Sequence, residues 1–176
     1  VDSAVTLWGA KQNGWEIRPL TFDYFGRPRQ EREAVQALTS RAGTGPVRNV
    51  DLPFLKEVDD LRKEGFGNPR LLEAPEGYIH GRNLIFYGLA GYYAELDGVR
   101  YIIGGHNGID QESFPDSSPK FFNFLNSVFR LSLWSYDASP VQILVAFSGK
   151  TKEDVVRQGL EMQVPFHITW SCYWDR

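Results

Sequence analysis

The chain has 176 residues, 42% hydrophobic and 14% aromatic, enough apolar material for one α/β domain with a sizeable core. Nineteen basic and 22 acidic residues leave a net charge of −3, which provides no global field for a nucleic-acid partner. No run of about 18 apolar residues exists to span a membrane, and no charged-then-apolar cleavable leader is present. One cysteine makes an internal disulfide impossible, consistent with a reducing, cytoplasmic setting.

The chain opens with "VDSAVTLWGAKQNG", in which Asp2 and Ser3 read as N-caps and Asn13-Gly14 as the closing signal of a first helix. "WEIRPLTFDY" (15–24) reads as a strand, and "QEREAVQALTSRAG" (30–43) as a helix stopped by Gly43. "VRNVDL" (47–52) alternates like a strand. "PFLKEVDDLRKEG" (53–65) is expected to be helical, with Leu55, Val58 and Leu61 on one face. Residues 66–81, broken by glycine and proline, predict a long loop. A strongly apolar helix over 82–98 precedes a short buried strand over 100–105 that ends in two glycines. A Gly-, Asn- and Asp-rich loop (104–119), an aromatic helix (118–134), a buried strand (141–147) and a helix over 151–163 opened by Thr151 and Asp154 complete the pattern.

Strands alternating with helices predict an α/β fold, a Rossmann-like mostly parallel sheet with helices on both faces. Ligands of such sheets bind beyond the carboxyl ends of the strands. There the sequence places the start of the chain, 22–29, 104–119 and 147–152. No G-x-S-x-G elbow supports a serine hydrolase, and no metal-ligand spacing stands out. "SGKT" (148–151) imitates the end of a phosphate loop but lacks its first glycine, and reads as a turn before a capped helix.

Several stretches, taken in order, resemble the 7-cyano-7-deazaguanine synthase family of the PP-loop ATP pyrophosphatase superfamily, in the queuosine and archaeosine pathways. They are residues 1–33, "GRNLIFYGLAGYYAE" (81–95), "IIGGHNGIDQESFPDSSPKFFNFLN" (102–126) and "TKEDVVRQGLEMQVPFHITWSCY" (151–173). The resemblance implies one PP-loop nucleotide-binding domain over 1–176, of which Val1, Asp2 and Ser3 would be the end of an S-G-G-x-D-S loop whose first strand is not in the chain. It implies an ATP-dependent ligase that converts 7-carboxy-7-deazaguanine and ammonia to the 7-cyano product through an adenylated intermediate, with Mg²⁺ on the phosphates, as a homodimer.

By resemblance Ser3, Arg82 and Lys152 are the catalytic candidates, and Asp2, Ser3, Phe22, Asp23, Arg82, Asn83 and Lys152 the nucleotide contacts. Lys152 in a first helical turn opposes the helix dipole, which itself argues for a nearby anion. His106, Asn107, Asp110 and Asp116 are the candidates for holding the deazapurine. Cys172 matches the first of four zinc-binding cysteines, and the C-x-x-C-x-x-C run that would supply the others is not in the chain. Departures from the family pattern are "FPDSSPKF" (114–121), with Ser117, Ser118 and Lys120 at its Cys, Arg and Glu positions, and "DYFGRPR" (23–29). They leave open a paralogue that activates another carboxylate or joins a deazaguanine to another amine, and a non-catalytic nucleotide-binding subunit.

Overall fold

A computed structural model describes residues 1–171, apart from the side chains of residues 112 and 113. The element order is α1 (Asp2–Gln12), β1 (Leu20–Tyr24), α2 (Arg29–Ala42), β2 (Arg48–Leu52), α3 (Val58–Leu61), α4 (Arg82–Asp97), β3 (Tyr101–Gly104), α5 (Gly108–Ser113), α6 (Pro119–Ser132), β4 (Gln142–Val145) and α7 (Lys152–Glu161). The fold is α/β, and every strand pairing among the described residues is parallel. Among the described residues the strands form two ladders. β1 pairs with β2 from Leu20↔Arg48 to Tyr24↔Leu52, and β3 pairs with β4 from Tyr101↔Gln142 to Gly104↔Val145.

Helix α4 carries apolar residues around its whole circumference because it serves both ladders. Ile85, Phe86 and Leu89 pack with Phe22, Tyr24, Val50 and Leu52. Tyr87 and Ala94 face the other way, into a core with Phe122, Leu125, Phe129, Val141 and Ile143. Gly91 lets α6 come close, since a Cβ there would stand 2.6 Å from the Phe129 ring. A third core joins α1 and α7 through Ala4, Val5, Trp8, Phe147 and Val155. At Gly159 a Cβ would collide with Phe166 and stand 2.8 Å from Val5 Cγ2.

Element boundaries differ from the sequence reading for local reasons. α1 begins at Asp2 with Val1 as its cap, so Asp2 and Ser3 lie inside the first turn and do not cap it. The strand expected over 15–24 starts only at Leu20: Pro19 precedes it, and Arg18 turns aside to the Asp97 carbonyl at 2.9 Å. The helix expected over 53–65 shrinks to four residues. Leu55 N–H returns to Leu52 and Val58 N–H goes to the Tyr78 carbonyl, which buries Leu55 and Val58 at 2% exposure each. The loop over 66–81 contains a 3₁₀ turn at Pro69–Glu73, and that over 104–119 contains α5. Gly43 closes α2 in the left-handed region at φ 71°.

The outer edge of β4 is met by a side chain. Asn126 of α6 accepts from Ile143 N–H at 2.7 Å and donates to the Ile143 carbonyl at 3.3 Å, mimicking a further strand. Ile143 is 5% exposed, so water does not easily replace that amide. Asn126→Ala should therefore destabilise the fold by about 1–3 kcal/mol, the cost of stranding a buried backbone pair. Chemical denaturation reads this directly, and an unchanged midpoint would remove the edge-pairing role.

Candidate active site

The site is built around the point where β3 ends. Gly104 and Gly105 both have ordinary backbone angles, so their value is the space they leave. A Cβ on Gly104 would collide with the hydroxyl of Tyr87 and stand 3.2 Å from His106 Cδ2. A Cβ on Gly105 would stand 3.0 Å from the Asp2 carbonyl carbon, 3.1 Å from Asp2 Cβ and 3.1 Å from Ser3 N. The strand end thus has α4 against one side and the first turn of α1 against the other.

The α1 side is charged. Thr151 caps α7 in a capping box with Asp154, so the stretch that imitates a phosphate loop is the expected turn and capped helix. Asp154 is held below the usual carboxylate range by its bonds to Thr151, hydroxyl first and N–H second. From the same first turn Lys152 Nζ reaches across to Asp2 Oδ2 in an ion pair. Asp2 is the anion that the misplaced-looking lysine implies. The other carboxylate oxygen, Asp2 Oδ1, is buried and has no hydrogen-bond partner among the described residues. Ser3 is exposed beside it. Helix first-turn N–H groups, one orphan carboxylate oxygen and an ammonium form a set that fits Mg²⁺-bound phosphate, because Mg²⁺ takes few protein ligands and fills its shell with phosphate oxygens and water.

The loop after β3 supplies the other wall. Asn107 is 4% exposed and caps α5, its Oδ1 accepting from Ile109 N–H at 2.9 Å, while Asp110 Oδ2 accepts from Asn107 N–H at 3.1 Å. Gly108 N–H donates to the Lys150 carbonyl at 2.8 Å, tying this loop to the turn that carries Lys152. Asn83 is 3% exposed and fastens the start of α4 to the segment at 115–117. Its amide donates to the Asp116 carbonyl at 3.0 Å and to Ser117 Oγ at 2.9 Å, and its N–H donates to Asp116 Oδ2 at 3.0 Å. Ser117 and Ser118 are both employed, since Ser118 Oγ caps α6 by accepting from Phe121 N–H at 3.2 Å. His106 sits among these groups. Burial holds its imidazole below the ordinary histidine range, against the opposing field of Asp110; Arg82, Asp116 and Asp2 act more weakly.

Asp2, Ser3, Lys152, Arg82, His106, Asn107, Asp110 and Asp116 therefore gather around one strand end. Asn83, Asn107, Asp110 and Asp116 do so with bonds already made to each other or to the backbone. Phe22 and Asp23 stand at the end of the other ladder, where Phe22 stacks on Phe86 at 4.2 Å and Asp23 pairs with Arg32 at 2.9 Å. Cys172 lies outside the described residues. Among those described, no three His, Cys, Asp or Glu side chains group as a metal site. No described helix is long and apolar enough to cross a membrane.

Two residues escaped the sequence reading. Tyr87 looks like one more apolar position of α4, and only its register with Gly104 gives it away. Arg27, 7% exposed, donates to the Phe22 carbonyl at 2.6 Å and to Thr21 Oγ1 at 2.9 Å, which locks the turn after β1.

Comparison with known proteins bears on this geometry. The family model described as "Queuosine biosynthesis protein QueC" matches residues 1–176. A 7-cyano-7-deazaguanine synthase of Picrophilus torridus is 31% identical over 98% of this chain and 74% of its own length. One from Thermoplasma acidophilum is 32% identical over 98% of this chain and 75% of its own, and one from Nostoc punctiforme 29% identical over 98% and 81%. With the family model matching residues 1–176 and relatives above 30% identity, the chain belongs to the QueC family of queuosine biosynthesis proteins.

Proposed function

We propose that this protein is an ATP-dependent carbon–nitrogen ligase that converts 7-carboxy-7-deazaguanine and ammonia to 7-cyano-7-deazaguanine. The observation that carries the reading is the meeting of α1's first turn with Lys152 against Gly105, within a chain matched by its family over its whole length.

The chemistry asks for two activations. The substrate carboxylate oxygen attacks the α-phosphorus of ATP, a P–O bond forms and pyrophosphate leaves. Ammonia attacks the acyl carbon and AMP departs with the original oxygen, leaving a primary amide. The amide oxygen attacks the α-phosphorus of a second ATP and a second pyrophosphate leaves; loss of AMP and two protons then gives the nitrile. The α1 N–H groups and Ser3 hold phosphate oxygens, and Lys152 neutralises the charge that builds as pyrophosphate separates. Asp2 orients that ammonium and offers its free oxygen to the site. Mg²⁺ at that oxygen would supply further charge neutralisation. Arg82 serves the nucleotide and the reacting groups, and the loop of His106, Asn107, Asp110 and Asp116 holds the deazapurine, with Asn83 keeping the loop's base in register. Phe22 and Asp23 line the path to the adenine.

A cytoplasmic homodimer accompanies this reading. Phe124, Val128 and Leu131 form a stripe on the outer face of α6, continued by Trp134, and are 64%, 50%, 88% and 98% exposed. An apolar stripe of that kind suits a second copy.

Incubation with ATP, ammonium and 7-carboxy-7-deazaguanine, followed by mass spectrometry, should yield the nitrile and AMP. AMP without nitrile would point to another amine or acid. Lys152→Ala should cut kcat/KM by roughly 10–150-fold, as expected for losing a hydrogen bond to a charged group, with little change in melting temperature. Parental turnover in that variant would remove lysine from the phosphate site.

A second expectation concerns pH. Burial disfavours the charged form of His106 in the fold, while the unfolded chain takes up its proton at about pH 6.5. The stability it contributes is complete above that value and declines as pH falls through it, because the unfolded state then binds more protons. Melting temperature should fall more steeply from pH 7 to 5 in the parental protein than in His106→Gln. Parallel curves would mean that the ring is freely solvated.

A further inference from the structure

Tyr87 and His106 stand together at the end of β3 with no hydrogen-bonding work inside the protein. Tyr87 is 7% exposed, and burial pushes its phenol above the ordinary tyrosine range. Its ring lies edge-on to Phe122 at 5.0 Å, and the His106 ring centre is 5.1 Å from Phe122 and 5.8 Å from Tyr87. The hydroxyl occupies the space that a Gly104 side chain would take, with Tyr87 Cζ 3.0 Å and His106 Cδ2 3.2 Å from that Cβ position. Among the described residues neither the hydroxyl nor the imidazole makes a hydrogen bond. A phenylalanine would fill the same core without the hydroxyl, and that oxygen, which is not among the buried side-chain atoms left without a partner, keeps an open side at the strand end.

The surroundings select the kind of ligand. Lys152 and the start of α1 lie against Gly105, so a polyanion has its place there. On the Gly104 side the nearest groups are the rings of Tyr87, His106 and Phe122, with Asp110, Arg82 and Asp116 near enough for their opposite charges to act on His106. Packed rings with charge of both signs around them suit a planar ring with polar edges. Resting on the function proposed above, we infer that Tyr87 is a specificity-determining residue, its hydroxyl standing beside His106 as a neutral hydrogen-bonding pair for the heteroatom edge of a purine-like ring.

Tyr87→Phe keeps the ring packing and removes only the hydroxyl. The variant should raise KM for 7-carboxy-7-deazaguanine roughly five- to tenfold, a neutral hydrogen bond's worth, while KM for ATP and the melting temperature hold. Gly104→Ala should lower the melting temperature of the parental protein, and by less in the Tyr87→Phe background, where the colliding oxygen is gone. A parental KM for the acid in Tyr87→Phe overturns the inference, with or without a fall in melting temperature. So does an equal Gly104→Ala penalty in both backgrounds. A parental protein that fails to bind the acid at all removes the functional reading itself, and is distinguishable because no variant is needed to see it.

Discussion

Close approach at a pair of glycines organises this molecule. β3 ends in a gap too narrow for a side chain on either glycine, with the Tyr87 hydroxyl pressed on one and the backbone of Asp2 and Ser3 on the other. α1 meets the strand end at backbone distance and α4 reaches it through the ring and hydroxyl of Tyr87, so the groups on both sides are placed by the fold. The loop that follows is fastened at three places: to α5 by Asn107, to Lys150 by Gly108, and to α4 through Asn83 and Asp116. A rigid frame of this type is what activation of a carboxylate requires, since the acid and the phosphates must be held in line with water kept away.

The glycine pair also separates two chemistries. One side has a helix start, an ammonium and a carboxylate with an unused oxygen. The other has a phenol, an imidazole and a phenyl ring. The Asp2–Lys152 pair links α1 to α7 across the first of these, and Lys152 is 45% exposed at its side chain. At that exposure the pair contributes little to stability, so its significance is the placement of charge.

Much of this was legible in the sequence because the signals are local. Gly43 and Asn13-Gly14 stop helices where the chain says they should, and Thr151 with Asp154 starts one. The Gly-Gly at the end of a buried strand is visible in the sequence, and in the fold the pair lies against Tyr87 and α1. What could not be read was tertiary. Nothing local distinguishes Tyr87 from its apolar neighbours in α4. Nothing local says that Asn83 would be consumed by Asp116 and Ser117, or that residues 53–57 would fold back so that Leu55 and Val58 could be buried. Ser117 and Ser118 looked like losses from a family pattern, and in the fold each holds a hydrogen bond that positions a helix.

The central claim is that the Gly105 contact sets the phosphate side of the site. Gly105→Ala tests it most directly, because the backbone there suits alanine and only the added methyl, 3.0–3.1 Å from Asp2 and Ser3, disturbs anything. The measurement is KM for ATP beside KM for 7-carboxy-7-deazaguanine. Displacing α1's first turn should raise the former several-fold and leave the latter nearly unchanged. A parental KM for ATP in a folded Gly105→Ala protein would contradict the account.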